Sequence, residues 1–187
     1  FLQLAPKKIK GGKVSTYLHE ELKVGDTVKL AAPFGVFTLP PQVDDVKSAV
    51  LISAGIGITP MINFRRALGS KVRLCVHVDS TPEAHAYRDF FQSAASASNN
   101  SNADEKNDES LIMNKYTRIP GGKRPSIEEL ASEIYSAVGV DHHFYICGPE
   151  NWMMEMQGAL VEMKAKAVTC EVFGSQLATG CPFFTHS

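Results

Sequence analysis

The sequence predicts an α/β fold, a doubly wound domain on a five-stranded parallel sheet, preceded by a smaller β-rich unit. Two observations predict it. From about residue 47 onward five apolar runs, SAVLIS, KVRLCVHV, LIMNKYTRI, HHFYICG and AVTCEVFG, alternate with segments of helical period. Strand and helix in alternation imply parallel pairing with right-handed crossovers. Before that point the rhythm differs: FLQLAPKKI and DTVKLAAPFGVFTL carry β-type residues broken by Pro and Gly. Domains are therefore expected at 1–46 and 47–187.

The elements follow in order. In the first unit VSTYLHEEL places Val14, Tyr17, Leu18 and Leu22 on one helical face. In the second, helices are expected at TPMINFRRAL, EAHAYRDFF, SIEELASEIYSAV and PENWMMEMQGALVEMKAK. Met153, Met156, Leu160 and Met163 recur at helical spacing and read as a stripe facing the core. His77 reads as a packed strand residue and His85 as a residue of the helix that follows. Residues 93–110, SAASASNNSNADEKNDES, are Ser, Asn and acid with almost nothing to bury, which predicts a disordered surface insertion.

Charge and cysteine usage narrow the partners. A formal net charge of -1 supplies no electrostatic reason to expect nucleic acid or an acidic membrane surface. No apolar run approaches the roughly 18 to 20 residues that a membrane span needs. Cys75, Cys147, Cys170 and Cys181 show no Cys-x-x-Cys spacing, and most sit in or beside strand-like runs. That suits reduced thiols in a cytoplasmic protein better than a disulfide frame or a zinc site, so no metal is expected. Since the chain opens on Phe1, it is expected to be a piece of a longer protein.

The chemistry is concentrated in three turns. AVLISAGIGITPM is an apolar strand, then Gly55 and Gly57, then a helix starting near Thr59. Glycines there allow a tight turn and a close approach of a ligand to the main chain. The helix start adds unpaired N–H donors and about half an elementary charge of positive dipole, which suits a phosphate. Thr59 is placed to cap that helix or to bond a phosphate oxygen, and Pro60 fits a first turn that needs no N–H. FYICGPENWMMEM repeats the strand, turn, helix pattern, with Gly148 relaxing the turn and Pro149 opening the helix. Ligands of doubly wound sheets sit beyond the carboxyl ends of the strands, so Gly55, Gly57, Cys147, Gly148 and Pro149 are expected to line one crevice. Cys147 by itself reads as a buried small hydrophobe. The third turn, GGKVSTYL, sets Gly12 and Ser15 at the start of the first unit's helix, where Ser15 reads as an ordinary cap.

Together these turns resemble the ferredoxin-reductase-like family, whose members pass a hydride from NAD(P)H to a flavin held in a small β-barrel. Gly12-Lys13-Val14-Ser15 is similar to its Gly-x-x-Ser flavin motif, Gly55-x-Gly57-x-Thr59-Pro60 to its nicotinamide-nucleotide loop, and Cys147-Gly148-Pro149 to its nicotinamide-side motif. Within that family the residues from about 9 to 174 look like the reductase half of flavohemoglobins, nitric oxide dioxygenases that join a globin to such a reductase. STYLHEEL, HAYRDF and EVFG narrow the likeness. The first unit would then be the last part of an antiparallel FAD-binding barrel, and the second an NAD(P)-binding domain.

The resemblance implies roles by position. Ser15 with Gly12 and the backbone around Val14 and Thr16 would hold the FAD pyrophosphate; Gly55, Gly57, Thr59 and Pro60 would hold that of NADH or NADPH. Cys147, Gly148 and Pro149 would border the nicotinamide, Phe173 would lie by the isoalloxazine ring, and Glu171 would stand near the electron path to a haem. That haem would belong to a globin domain of the parent chain. Asp79 and Ser80, with no Arg adjacent, fall where ribose contacts are expected, and this favours NADH. The family's Arg-x-Tyr-Ser flavin motif is absent. Two alternatives stand beside this reading: a reductase of the cytochrome b5 reductase or nitrate reductase type, and a nucleotide-binding module without turnover.

Overall fold

The computed structural model describes residues 3–30, 35–89, 111–117 and 125–172. The chain divides into two compact units, Phe1–Thr38 and Leu39–Ser187. The expected insertion at 93–110 and the tail from Phe173 onward lie outside the described residues.

In the first unit one short helix, α1 (Lys13–Thr16), widens into a π-helical turn over Tyr17–Glu21. The change of pitch breaks the expected apolar face: Val14 and Tyr17 are 72% and 41% exposed, and neither segment buries a residue. Lys8 pairs with Glu20, and His19 Nε2 meets the Pro6 carbonyl at 2.8 Å. No strand forms among the described residues of this unit, although FLQLAPKKI and DTVKLAAPFGVFTL led one to expect them. A strand exists through its ladder partner, and the extended segments here are not paired with one another.

The second unit is the expected parallel sheet. Its strands are β1 (Ala49–Ala54), β2 (Val72–Asp79), β3 (Leu111–Tyr116), β4 (His143–Gly148) and β5 (Ala167–Val172). They lie in the order β3-β2-β1-β4-β5, and every neighbouring pair is parallel. Among the described residues the helices that cover them include α2 (Ile58–Leu68), α3 (Ile127–Val138) and α4 (Glu150–Glu162).

Side-chain alternation along β1 sends Val50, Ile52 and Ala54 into a core with Leu130, Ile134, Met153, Met156 and Leu160 of α3 and α4. Leu51 and Ser53 turn to the other face, which is covered by α2 through Ile58, Met61, Ile62 and Phe64. There the Phe64 ring meets the edge of Tyr145 at 5.0 Å. A strand covered on both faces needs an unbroken apolar run, which is why all of AVLISA is buried. The methionine stripe is core, with Met163 packed at its margin.

One expected helix differs. A short 3-10 turn at Pro82–Ala84 leads into EAHAYRDFF, and among the described residues helical geometry starts at Arg88; Phe90 and Phe91 lie outside them. Tyr87, with φ +57°, interrupts the segment. His85 therefore stands on no helix, and it is buried.

Candidate functional site: the carboxyl ends of the central strands

The chain leaving β1 crosses toward β2 and β3, whereas β4 leads outward to β5 on the other side. Connections that part in opposite directions open a crevice beyond the carboxyl ends of β1 and β4. Gly55 starts a tight turn there with φ +53°, a left-handed conformation that costs a residue with a Cβ about 1 to 2 kcal/mol. The turn Gly55–Gly57 runs directly into α2.

Gly57 has a different reason to be glycine. A Cβ on it would stand 2.1 Å from the Cys147 carbonyl oxygen and 2.9 Å from the Gly148 nitrogen. Its missing side chain lets the β1 turn lie against the β4 backbone, where the sequence suggested room for a ligand. Gly148 is sterically confined too, because a Cβ would come within 3.0 Å of Ala54 and of the Trp152 ring. Its φ is not positive, so it makes room for packing and does not relax the turn. These contacts place the two motif turns side by side.

The start of α2 carries no side-chain cap. Gly57 takes the cap position and Thr59 lies inside the helix, its hydroxyl donating to the Ile56 carbonyl at 3.1 Å. This corrects the expectation that Thr59 caps the helix. Pro60, the third helical residue, lacks an N–H that would be unpaired in any case. The 3-10 turn runs on into the helix, so the Ile58 N–H is already bonded to the Gly55 carbonyl, and the helix start faces a ligand chiefly with its dipole. By contrast α3 has a closed capping box, Ser126 and Glu129 each bonding the other's backbone N–H.

At the end of β4, Cys147 is fully buried and its register partner in β5 is Glu171. Burial, with smaller contributions from Glu171 and Cys170, pushes the Cys147 thiol far up, so it is not a thiolate at neutral pH. Burial also raises the half-buried Glu171 carboxyl above its usual value. Pro149 holds the cap position of α4 and Glu150 is the first helical residue. Beside this turn, a cleft of about 390 Å³ is lined by Val78, Ser126, Leu130, Trp152 and Glu155 among others.

The end of β2 holds a polar cluster that the sequence did not announce. Ser53 Oγ lies 2.9 Å from His77 Nδ1, and His77 Nε2 lies 3.4 Å from Asp79 Oδ2. The His85 ring packs against His77 with centroids 4.0 Å apart and planes tilted by 32°, and its Nδ1 meets the Tyr116 hydroxyl at 3.0 Å. Ser53, His77, Asp79 and His85 are all at most 9% exposed. Asp79, expected at a ribose, is largely buried at the end of β2, and its Oδ1 accepts the Ser80 N–H at 2.6 Å. Burial, with the charge of His85, lowers His77 to about 4 and keeps it neutral at physiological pH. The available signal was a polar residue, Ser53 or His77, inside each of two apolar strands. Only the register that pairs them turns that signal into a cluster.

In the first unit, Ser15 is no helix cap. Gly12 takes that position, and the Ser15 hydroxyl accepts the Ile9 N–H at 3.1 Å and donates to the Gly12 carbonyl at 3.3 Å. A Cβ at Gly12 would collide with that hydroxyl at 2.6 Å. The Thr16 amide is committed to the Gly12 carbonyl at 3.0 Å, so the open donors of the turn are the amides of Lys13, Val14 and Ser15. Phe173 lies outside the described residues. Among the described residues no group of three or more His, Cys, Asp or Glu could hold a metal ion, and no helix is long and apolar enough to cross a membrane.

No family model matches the chain. The flavohemoprotein of Bacillus subtilis is 32% identical over 188 residues, covering 90% of this chain and 43% of its own length. The flavohemoprotein of Candida albicans is 28% identical over 182 residues, covering 92% and 42%. The crystal structure of the flavohem-like FAD/NAD-binding domain of nitric oxide dioxygenase from Vibrio cholerae O1 biovar El Tor is 28% identical. It superposes with a TM-score of 0.57 over 87% of this chain and 65% of that one.

The chain is a homologue of the flavohemoprotein reductase region. It spans about two fifths of the length of these curated flavohemoproteins. Its sheet is thus of the ferredoxin-reductase-like kind, as the resemblance implied. In this flavohemoprotein-type module the turns at Gly55 and Cys147, picked out separately from the sequence, are neighbours in space.

Proposed function

We propose that this chain is the NAD(P)H- and FAD-dependent reductase module of a flavohemoprotein-type nitric oxide dioxygenase, with a haem-bearing globin domain in the parent chain as its electron acceptor. The observation that carries the reading is the packing of Gly57 on the Cys147–Gly148 peptide. It joins an uncapped helix start, fit for a diphosphate, to the turn at the end of β4, which is fit to border a planar ring.

The residues fit the two cofactors. The glycine turn of Gly55 and Gly57, with Thr59 and Pro60 at the opening of α2, takes the nucleotide diphosphate, and the Asp79 carboxylate receives a ribose hydroxyl. That carboxylate at the β2 end favours NADH, with NADPH as the weaker donor. The cleft beside Trp152 has the size a nucleoside requires. Cys147, Gly148 and Pro149 border the nicotinamide. Gly12, Val14, Ser15 and Thr16 form the turn that takes the FAD diphosphate, and Glu171 and Phe173 lie toward the flavin and the acceptor. When bound, the nicotinamide and flavin supply the hydride and electron chemistry, and the protein's part is placement and exclusion of water. Cys147 contributes bulk and an apolar wall, since its thiol stays protonated.

The test titrates the chain with FAD and then adds NADH without oxygen. The expected result is saturable binding of both and loss of the flavin's visible absorbance. Failure to bind NADH, or binding of both without loss of that absorbance, overturns the proposal.

A further inference from the structure

We propose that His77 is a positioning residue for the nucleotide. One ring nitrogen is anchored to Ser53, on the strand that carries the Gly55–Gly57 turn, and the other holds the Asp79 carboxylate at the end of β2. The inference rests on the reading of Asp79 as the ribose acceptor.

The proton positions follow from the partners. A carboxylate only accepts, so the nitrogen facing Asp79, Nε2, carries the proton of the neutral ring, and Nδ1 is left as an acceptor. The Ser53 hydroxyl has a single proton and lies 2.9 Å from that Nδ1 against 3.2 Å from the Val76 carbonyl, so the histidine receives it. His77 thereby links two strand ends that are register partners at Ser53 and His77. The 3.4 Å contact to Oδ2 restrains the carboxylate and leaves that oxygen with lone pairs for a ligand, while Ser80 fixes Oδ1.

The cluster is braced from every side. The Tyr116 hydroxyl on β3 meets His85, whose ring backs His77, and the Thr117 N–H donates to the Asp79 carbonyl at 2.9 Å. From α2 only Ile58 and Met61 line the small cavity at His77, and Asn114 of β3 faces it. The charged or titratable groups facing the two imidazoles are thus each other, Asp79 and, at His85, Arg88 and the Tyr116 hydroxyl. The His85 Nε2 has no hydrogen-bond partner, but the bonded set Ser53, His77 and Asp79 restrains the distance from the phosphate turn to the ribose acceptor.

The test measures dissociation constants of NADH, ADP and nicotinamide mononucleotide for the whole chain, with folding of each variant checked by thermal melting. Asp79→Ala weakens ADP at least tenfold, and His77→Asn, whose amide cannot reach the Nε2 position, does so by about tenfold. His77→Gln, which restores a donor there, stays within about threefold of the unmodified chain. Adding His77→Asn to Asp79→Ala costs less than about twofold more, because the two act as one unit. Ser53→Ala provides a second probe, with about a threefold loss that likewise vanishes beside Asp79→Ala. Nicotinamide mononucleotide binds all variants alike.

The idea is overturned if His77→Asn and Ser53→Ala bind ADP like the unmodified chain, if their losses add in full to Asp79→Ala, or if ADP and nicotinamide mononucleotide weaken together. Should the unmodified chain bind no NADH, it is the functional reading that fails.

Discussion

Gly57 and Cys147 touch through backbone alone: a single added carbon on Gly57 would sit 2.1 Å from the Cys147 carbonyl oxygen. The strand ends that carry the two candidate turns are thus held together by the absence of a side chain.

Gly57→Ala is expected to force these turns apart, because backbone cannot swing aside as a side-chain end can. Overpacking of this kind costs about 1 to 3 kcal/mol, and here the upper end applies. Gly158→Ala makes the opposite control: it lies within α4 with nothing within 4 Å of the added carbon and gains up to about 1 kcal/mol of helix propensity. Denaturant titrations of both variants check the signs, and NADH affinity should fall only in Gly57→Ala.

Acid should weaken the fold through His77. Its ordinary value of 6.5 applies to the unfolded chain and about 4 to the folded one, so between these the unfolded chain binds the extra proton. The contribution is complete above about pH 6.5 and is lost as pH falls toward 4, for a total of about 3 kcal/mol. His85 and His143, both lowered chiefly by burial, slope the same way. Unfolding free energies measured from pH 7 to 4 should lose one proton's worth of slope in His77→Gln; an unchanged slope would show that His77 does not titrate as argued.

Cys147 and Cys75 should resist alkylation in the folded chain. Both are buried, and the Cys147 thiol is held protonated. Peptide mapping after a brief iodoacetamide pulse at pH 8 should find these two labelled only when denaturant is present, whereas half-buried Cys170 reacts sooner. Rapid labelling of Cys147 in the native chain would contradict the closed packing of the β4 turn.

Ser126→Ala should cost about 1 kcal/mol, because it removes one half of the α3 capping box and frees the Glu129 amide. The loss should appear in thermal melts. Ser126→Asp, which keeps an acceptor at the cap, should recover most of it.

Strand identity, parallel pairing and the turns at Gly55, Cys147 and Gly12 were legible in the sequence, because parallel strands buried on both faces need unbroken apolar runs. Glycine-bearing turns at the ends of such runs stand out by composition. What each glycine does was not legible, since the Gly57 restriction comes from Cys147, ninety residues away in the chain. Neither was the cap at α2, where Thr59 has the right chemistry in the wrong position. In the first unit the β-type residues were read as strands, but propensity supplies no ladder partner.

The sequence by itself determined which segments become β1 to β5, and that two strand ends bear glycine-containing turns, because periodicity and backbone freedom are local properties. Tertiary structure alone decided that Gly57 meets Cys147, that Ser53 meets His77, and that His85 leaves the expected helix and packs its ring against His77. Those outcomes depend on strand order and register, which arise when distant apolar faces are buried together and are written in no single stretch of residues.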